Sequence, residues 1–181
     1  MTVDAASSLR VGDTLPAYTV RAHNAATQSD NKIHEDSVAR KYGFRGGLVP
    51  GVTVHAYMTR PLAEALGLDW IQRGAMSARI LKPLYEGDQC RVVATVTAVS
   101  REQIDLEVTA FNQDGEACGV GTASLPATAR RAPSPEAVPH APVPGVRPPA
   151  SAESLAVGTA LGTLEFNFLP EGAYAAFLDE V

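Results

Sequence analysis

Hydrophobic positions change their period along this chain, and the changes mark out its elements. Leu9 to Val20 opens on a Val11-Gly12-Asp13 turn and continues with strand-like spacing. Asp36 to Tyr42 has the make-up of a short helix, capped by Asp36 and stopped at Gly43. From Gly51 to Leu66 apolar residues recur at Val52, Ala56, Tyr57, Met58, Leu62, Ala63 and Leu66, close to the helical period. Pro61 lacks an N–H and crowds the preceding turn, so it is expected to kink this helix or restart it after Thr59. Beyond Trp70 the period falls to two. Met76 to Pro83, Cys90 to Ser100, Gln103 to Asn112 and Gly119 to Pro126 read as strands, with Asp114-Gly115 as the hairpin turn between the last two. One strand, one long apolar helix and then an antiparallel meander predict an α+β fold, a curved sheet wrapped around one long central helix.

The pattern stops at residue 131. Ala132 to Ala150 holds seven of the chain's thirteen prolines (Pro133, Pro135, Pro139, Pro142, Pro144, Pro148 and Pro149) and is expected to be an extended linker. After it, Ser154-Leu155-Ala156-Val157-Gly158 with Leu161 echoes Ser8-Leu9-Arg10-Val11-Gly12 with Leu15 at the same spacing. The expected organisation is therefore a domain over 1–131, a linker over 132–150, and over 151–181 the start of a truncated second copy. Such a stub cannot build its own core, so it is expected to pack on the first domain or to be completed by another chain.

Composition narrows the function classes. With 181 residues, 45% hydrophobic and 19% charged, the chain can bury one sizeable core. A formal net charge of −5, with no block of Lys and Arg, argues against nucleic acid as a partner. The first residues lack a basic region followed by an apolar run, and no stretch has the length to span a bilayer, so a cytoplasmic protein without membrane contact is expected. Cys90 and Cys118 have no metal-ligand spacing and are expected to pack inside strands; no metal or cofactor is expected.

Candidate chemistry concentrates between Ser29 and Met58. Ser29-Asp30-Asn31-Lys32-Ile33-His34 puts polar and titratable groups ahead of Tyr42-Gly43-Phe44-Arg45-Gly46-Gly47-Leu48-Val49-Pro50-Gly51, which leads into the apolar helix. The first amides of a helix have no intrahelical acceptor and its dipole favours negative charge there, so the Gly51 N–H suits a polarised carbonyl. An imidazole such as His34 can take a proton at neutral pH. If 29–34 were extended, Asp30 and Ser29 would point to opposite sides. His55, inside the apolar helix, reads as a hydrogen-bonded core residue. Arg40, Lys41 and Arg45 read as a solvated face or as contacts for phosphates.

In order along the chain, Asn31-Lys32-Ile33-His34, the Gly43-Phe44 pair, the glycine-led helix at Gly51 and the stretch from Arg79 to Asp88 resemble the MaoC-like, R-specific enoyl-CoA hydratase branch of the hotdog superfamily. The resemblance covers about Leu9 to Leu125, and the second start resembles its double-hotdog members. The family motif runs Gly-Asp-x-Asn-Pro-(aliphatic)-His, with the Asp and His as the catalytic pair, and its helix begins at His-Gly. Aligned on His34, Asn31 and Ile33 match; Lys32 stands at the Pro, Ser29 at the catalytic Asp, Gln28 at the Gly, and Pro50-Gly51 at the His-Gly.

What the resemblance implies is a hotdog fold, an acyl-CoA or acyl-carrier-protein thioester as ligand, and a place in fatty acid metabolism. It also implies His34 as base, with Ser29 or Asp30 at the acid position, and Asn31, Val49, Gly51 and Arg79 as substrate-binding residues. Three functions fit these residues: a hydratase or dehydratase, a non-catalytic acyl-thioester-binding half completed by a partner, and a thioesterase using Asp30, Glu35 or Asp36 to activate water. An open sheet around one helix leaves edges to cover, so a homodimer is expected, or a hetero-oligomer in which another chain supplies the missing repeat.

Overall fold

The computed structural model describes residues 8–129, 140–146, 149–159 and 161–163, which fall into two units, one within 8–129 and the other between 140 and 163. In the first unit, β1 (Tyr18–Arg21) leads through a loop with a 3₁₀ turn at Lys32–His34 into α1 (Asp36–Ala39) and a second 3₁₀ turn at Arg40–Tyr42. Then come α2 (Gly51–Arg73), β2 (Ala75–Ile80), β3 (Gln89–Val99), β4 (Gln103–Phe111) and β5 (Ala117–Pro126). The five strands form one antiparallel sheet in the order β1-β3-β4-β5-β2. The strand before α2 thus lies at one edge, and the strand after it at the other.

The period-two stretches explain which face α2 covers. Cys90, Val92, Ala94 and Val96 of β3, and Ile104, Leu106, Val108 and Ala110 of β4, are buried at alternate positions and pack with Tyr57, Met58, Leu62 and Leu66 of α2. Burying each large apolar side chain stabilises the fold by about 1.5–3 kcal/mol. At Gly121 a Cβ would lie 2.5 Å from the Ser77 carbonyl oxygen, so glycine is what lets β2 and β5 approach there. Cys90 and Cys118 are both buried and free; the hydrogen bond to Cys118 and burial push the Cys90 thiol up. Among the described residues no helix is long and apolar enough to cross a membrane.

Three local expectations are corrected. Pro61 lies buried inside α2 without interrupting it; the break comes at Gly67, whose φ of 61° and ψ of −143° suit only glycine. The regular part of the helix therefore ends at Leu66, where the apolar period also ends. Asp36 does not cap α1: Glu35 holds the cap position, and the Asp36 carboxylate reaches instead to Gly47 N–H, 2.8 Å, and to Arg40, 2.9 Å. Leu9 to Val20 is mostly not a strand, since only Tyr18–Arg21 joins the ladder, with Thr14 bridged to Thr95 upstream.

In the second unit, Gly158 has φ 92° and Thr159 N–H donates to Ala156 C=O at 3.0 Å. Gly12 of the first unit also has φ 92°, with Asp13 N–H donating to Arg10 C=O at 3.0 Å. The Val11-Gly12 turn seats on β3 through Gly12 N–H to Val96 C=O, 2.9 Å, and Leu15 N–H to Ala94 C=O, 2.9 Å, which buries Leu15. Leu161, at the matching place in the second unit, is 61% exposed. Most of the Pro-rich stretch, and the expected second copy beyond residue 163, lie outside the described residues.

Candidate functional site

His34 ends the first 3₁₀ turn, and contacts with Leu48, Asn24 and Gly47 fix it. Its Nδ1 lies 2.7 Å from the Leu48 carbonyl oxygen. A carbonyl can only accept, so Nδ1 carries the proton, and in the neutral ring Nε2 keeps its lone pair as a base. Leu48 N–H in turn donates to Ile33 C=O, 3.2 Å, and Asn24 Nδ2 donates to the His34 carbonyl, 2.9 Å. Gly47 passes so close that a Cβ there would lie 2.1 Å from His34 O. The 46–48 strand of loop is held against the His34 turn like a clasp, and Asp36 secures it through the Gly47 amide.

The same loop carries the helix start. Val49 is buried and donates its N–H to Leu84 C=O at 2.9 Å, and Pro50 forms the N-cap of α2. The Thr53 and Val54 amides donate to Pro50 C=O, leaving Gly51 and Val52 as the open amides of the first turn. Leu48, the acceptor of the His34 ring, is three residues from Gly51, a reach of at most about 10–11 Å. Sequence neighbours thus tie the imidazole and the helix dipole to one small region. A Cβ added at Gly51 would meet only Ile80 Cγ1, at 3.7 Å, so this side of the first turn faces β2.

Other expected site residues are placed less directly. Residues 29–31 bend and 32–34 turn, so the segment is not extended and side-chain alternation does not decide which way Asp30 points. Ser29 is half-buried and its Oγ accepts Asn31 N–H at 3.2 Å, while Asp30 and Asn31 are exposed. Glu35 is paired with Lys32, and Asp36 is held by Gly47 and Arg40, so two of the three candidate carboxylates for activating water already have structural partners. Arg79 is exposed on β2. Ile80 packs near Gly51, and Met76 lies 3.8 Å from Thr59 Oγ1, so alternation turns Arg79 to the sheet face away from α2. There it lines a shallow groove of about 430 Å³ with Ser77, Glu107 and Thr122.

Arg40 and Arg45 line a second groove of about 390 Å³, but each is already engaged: Arg40 with Asp36, Arg45 with Asp88 and stacked 4.3 Å from the Tyr85 ring centroid. His55 is not a hydrogen-bonded core residue. Its side chain is half-exposed, and its ring has no hydrogen-bond or ionic partner among the described residues.

Asn24 and Glu86 are site residues that sequence patterns did not reveal. Asn24 is buried, bonds the His34 carbonyl, and donates its own N–H to Glu86 Oε2 at 2.6 Å. They are 62 residues apart, and although Glu86 falls in the 79–88 stretch, no spacing links it to Asn24; only the fold joins them. The Asn24 N–H holds the Glu86 carboxyl below the usual carboxylate range, aided by His23 at 3.2 Å and opposed by partial burial. A depressed carboxylate contributes stability above its unfolded value and loses it as pH falls through the folded one. Glu86→Gln is therefore expected to flatten the acid side of the stability curve below about pH 4.3, as measured by urea denaturation at stepped pH.

No protein-family model and no curated protein sequence matches the chain. Solved structures do. The MaoC-like dehydratase from Rhodospirillum rubrum is 25% identical, with a TM-score of 0.55 over 70% of this chain and 97% of that one. The (R)-hydratase from A. caviae involved in PHA biosynthesis is 22% identical, with a TM-score of 0.54 over 65% of this chain and 96% of its own. The ChsH1-ChsH2 complex from Mycobacterium tuberculosis is also 22% identical, with a TM-score of 0.55 over 70% of this chain and 98% of the matched chain. The five-stranded antiparallel sheet with α2 packed on it is the hotdog fold, in the form that MaoC-like dehydratases and R-hydratases share.

Proposed function

We propose that the protein is an acyl-thioester hydratase or dehydratase of the MaoC-like kind, interconverting a trans-2-enoyl thioester and its 3-hydroxyacyl form. The observation that carries this is the His34 Nδ1 contact to the Leu48 carbonyl, which leaves Nε2 as the proton acceptor and ties the ring to the loop that leads, three residues on, into a helix start with open amides. In the hydration direction Nε2 takes a proton from water as the water oxygen bonds the β-carbon. The thioester oxygen gains negative charge, and the Gly51 N–H and the dipole of α2 stabilise it. The ligand class, a coenzyme A or carrier-protein thioester, follows from that chemistry and from the hotdog neighbours. Asn31 and Val49 belong to the walls of this site, with Val49 fixing the approach to the helix.

Ser29 favours a second function. A hydroxyl already accepting the Asn31 amide is a poor acid, and a chain lacking the family carboxylate could hold a thioester for a partner hotdog subunit to act on. The paired turns at Gly12 and Gly158 fit that arrangement: residues 151–163 begin a second repeat whose companion strands another chain supplies. A homodimer through the sheet edges is the simpler assembly.

Ser29→Asp separates the two functions. An Asp carboxylate can accept the same Asn31 N–H, so the turn tolerates it. In a hydratase, Ser29→Asp is expected to raise turnover of crotonyl-CoA at least about tenfold, within the usual range for an added acid–base group. Saturable acyl-CoA binding with no hydration by either protein would establish the binding half instead.

A further inference from the structure

Among the described residues the His55 ring has no hydrogen-bond or ionic partner, and it lies on the side of α2 that carries Gly51. Three positions set out that face. A Cβ at Gly51 would meet Ile80 at 3.7 Å, and Thr59 Oγ1 lies 3.8 Å from Met76 Sδ. Gly51, His55 and Thr59 are four residues apart each, hence on one side of α2. Two residues of β2 advance about 6.6 Å, and four residues of a helix about 6 Å. The two elements run in opposite senses here, so His55 stands over Ala78, midway between the two observed contacts. Ala78 is the smallest side chain of the three that β2 turns toward the helix.

Around His55 the lane is apolar. β2 presents Met76, Ala78 and Ile80, none ionisable, and the nearby chain positions Val52 and Leu81 are exposed and apolar. The nearest charged residue on α2 itself is Arg60, which is paired with Glu64. The other imidazole of the region, His34, lies before the helix start and is committed through Nδ1 to Leu48. Nothing among the described residues uses the His55 ring, yet it sits one helical turn from the amide that would hold the thioester oxygen.

We infer that His55 is a further catalytic residue of this site, the acid that protonates the α-carbon, in place of the carboxylate that Ser29 lacks. It rests on the hydratase activity proposed above. The water oxygen bonds the β-carbon and its proton goes to His34 Nε2; the π pair of the alkene shifts to the α-carbon–carbonyl bond, and the thioester oxygen becomes the oxyanion at Gly51 N–H. The His55 imidazolium then gives its proton to the α-carbon as the carbonyl re-forms. His34 releases one proton to solvent and His55 takes one back, so enoyl thioester plus water gives 3-hydroxyacyl thioester.

The test is kcat and KM, measured separately, for the wild-type chain, His55→Gln and His55→Asn, with crotonyl-CoA and a long-chain trans-2-enoyl-CoA as the probes and circular dichroism to confirm folding. If His55 is the acid, both variants lose about a hundredfold or more in kcat. An active wild type whose folded His55 variants keep their kcat overturns the role of His55 and leaves the hydratase activity standing. A folded wild type that hydrates neither probe overturns both.

Discussion

Gly47→Ala is expected to lower stability by at least about 3 kcal/mol, at the upper end of the cost of forcing extra atoms into a packed site. The added Cβ would lie 2.1 Å from the His34 carbonyl oxygen and 2.7 Å from its carbonyl carbon. Both are backbone atoms, so no rotamer change relieves the clash. The Gly47 amide is also pinned by Asp36, and the His34 carbonyl by Asn24, so neither side of the clasp can move without breaking a hydrogen bond. Displacing the His34 turn would shift its ring from Leu48, and turnover should fall with stability. Gly51→Ala is the contrast: its Cβ meets one methylene at an ordinary 3.7 Å, and stability should stay within about 0.5 kcal/mol of wild type. Equilibrium urea unfolding of the two variants measures the difference, and equal stabilities would contradict the clasp.

The largest effect on rate with the least on structure is expected from His34→Gln. A glutamine amide can still donate toward the Leu48 carbonyl, so the loop ahead of Gly51 keeps its anchor, but it offers no nitrogen that can accept a proton. Loss of a general base typically costs about a hundred- to ten-thousandfold. The unfolding midpoint should move little, since the ring is only half-buried and its carbonyl remains bonded to Asn24. A fall in stability comparable to that of Gly47→Ala would mean that His34 holds the loop and does no chemistry.

The fold was legible where one face of an element is buried. The change from helical to alternating period near Trp70 located α2 and the strands β2 to β5, because burial on one side of a helix or sheet imprints its own spacing on the chain. Pro61 misled because a proline inside a helix can be tolerated when its ring is packed in the core, whereas Gly67, unremarkable in sequence, takes the backbone angles that break the helix. His34 and Gly51 could be picked out by motif, since their spacing along the chain is short. The clasp could not: Asn24, Glu86 and the Asp36-to-Gly47 contact link residues by hydrogen bonds that carry no periodicity. The role of Asp36 was misjudged for a related reason. A carboxylate at the start of a short helix has the composition of a cap, and only the path of the 43–47 loop shows that its acceptor oxygens point elsewhere. His55 was hidden by its surroundings, an apolar helix in which a half-exposed, unpartnered ring looks like a core position until the register against β2 is known.

The most direct measurement is hydration of a trans-2-enoyl-CoA by the purified wild-type chain and by His34→Gln, followed as loss of the conjugated enoyl-thioester absorbance. The expected result is turnover by the wild type that falls at least about a hundredfold in the folded variant. Equal rates in the two proteins, or no hydration by either while acyl-CoA still binds, would contradict a catalytic base at His34.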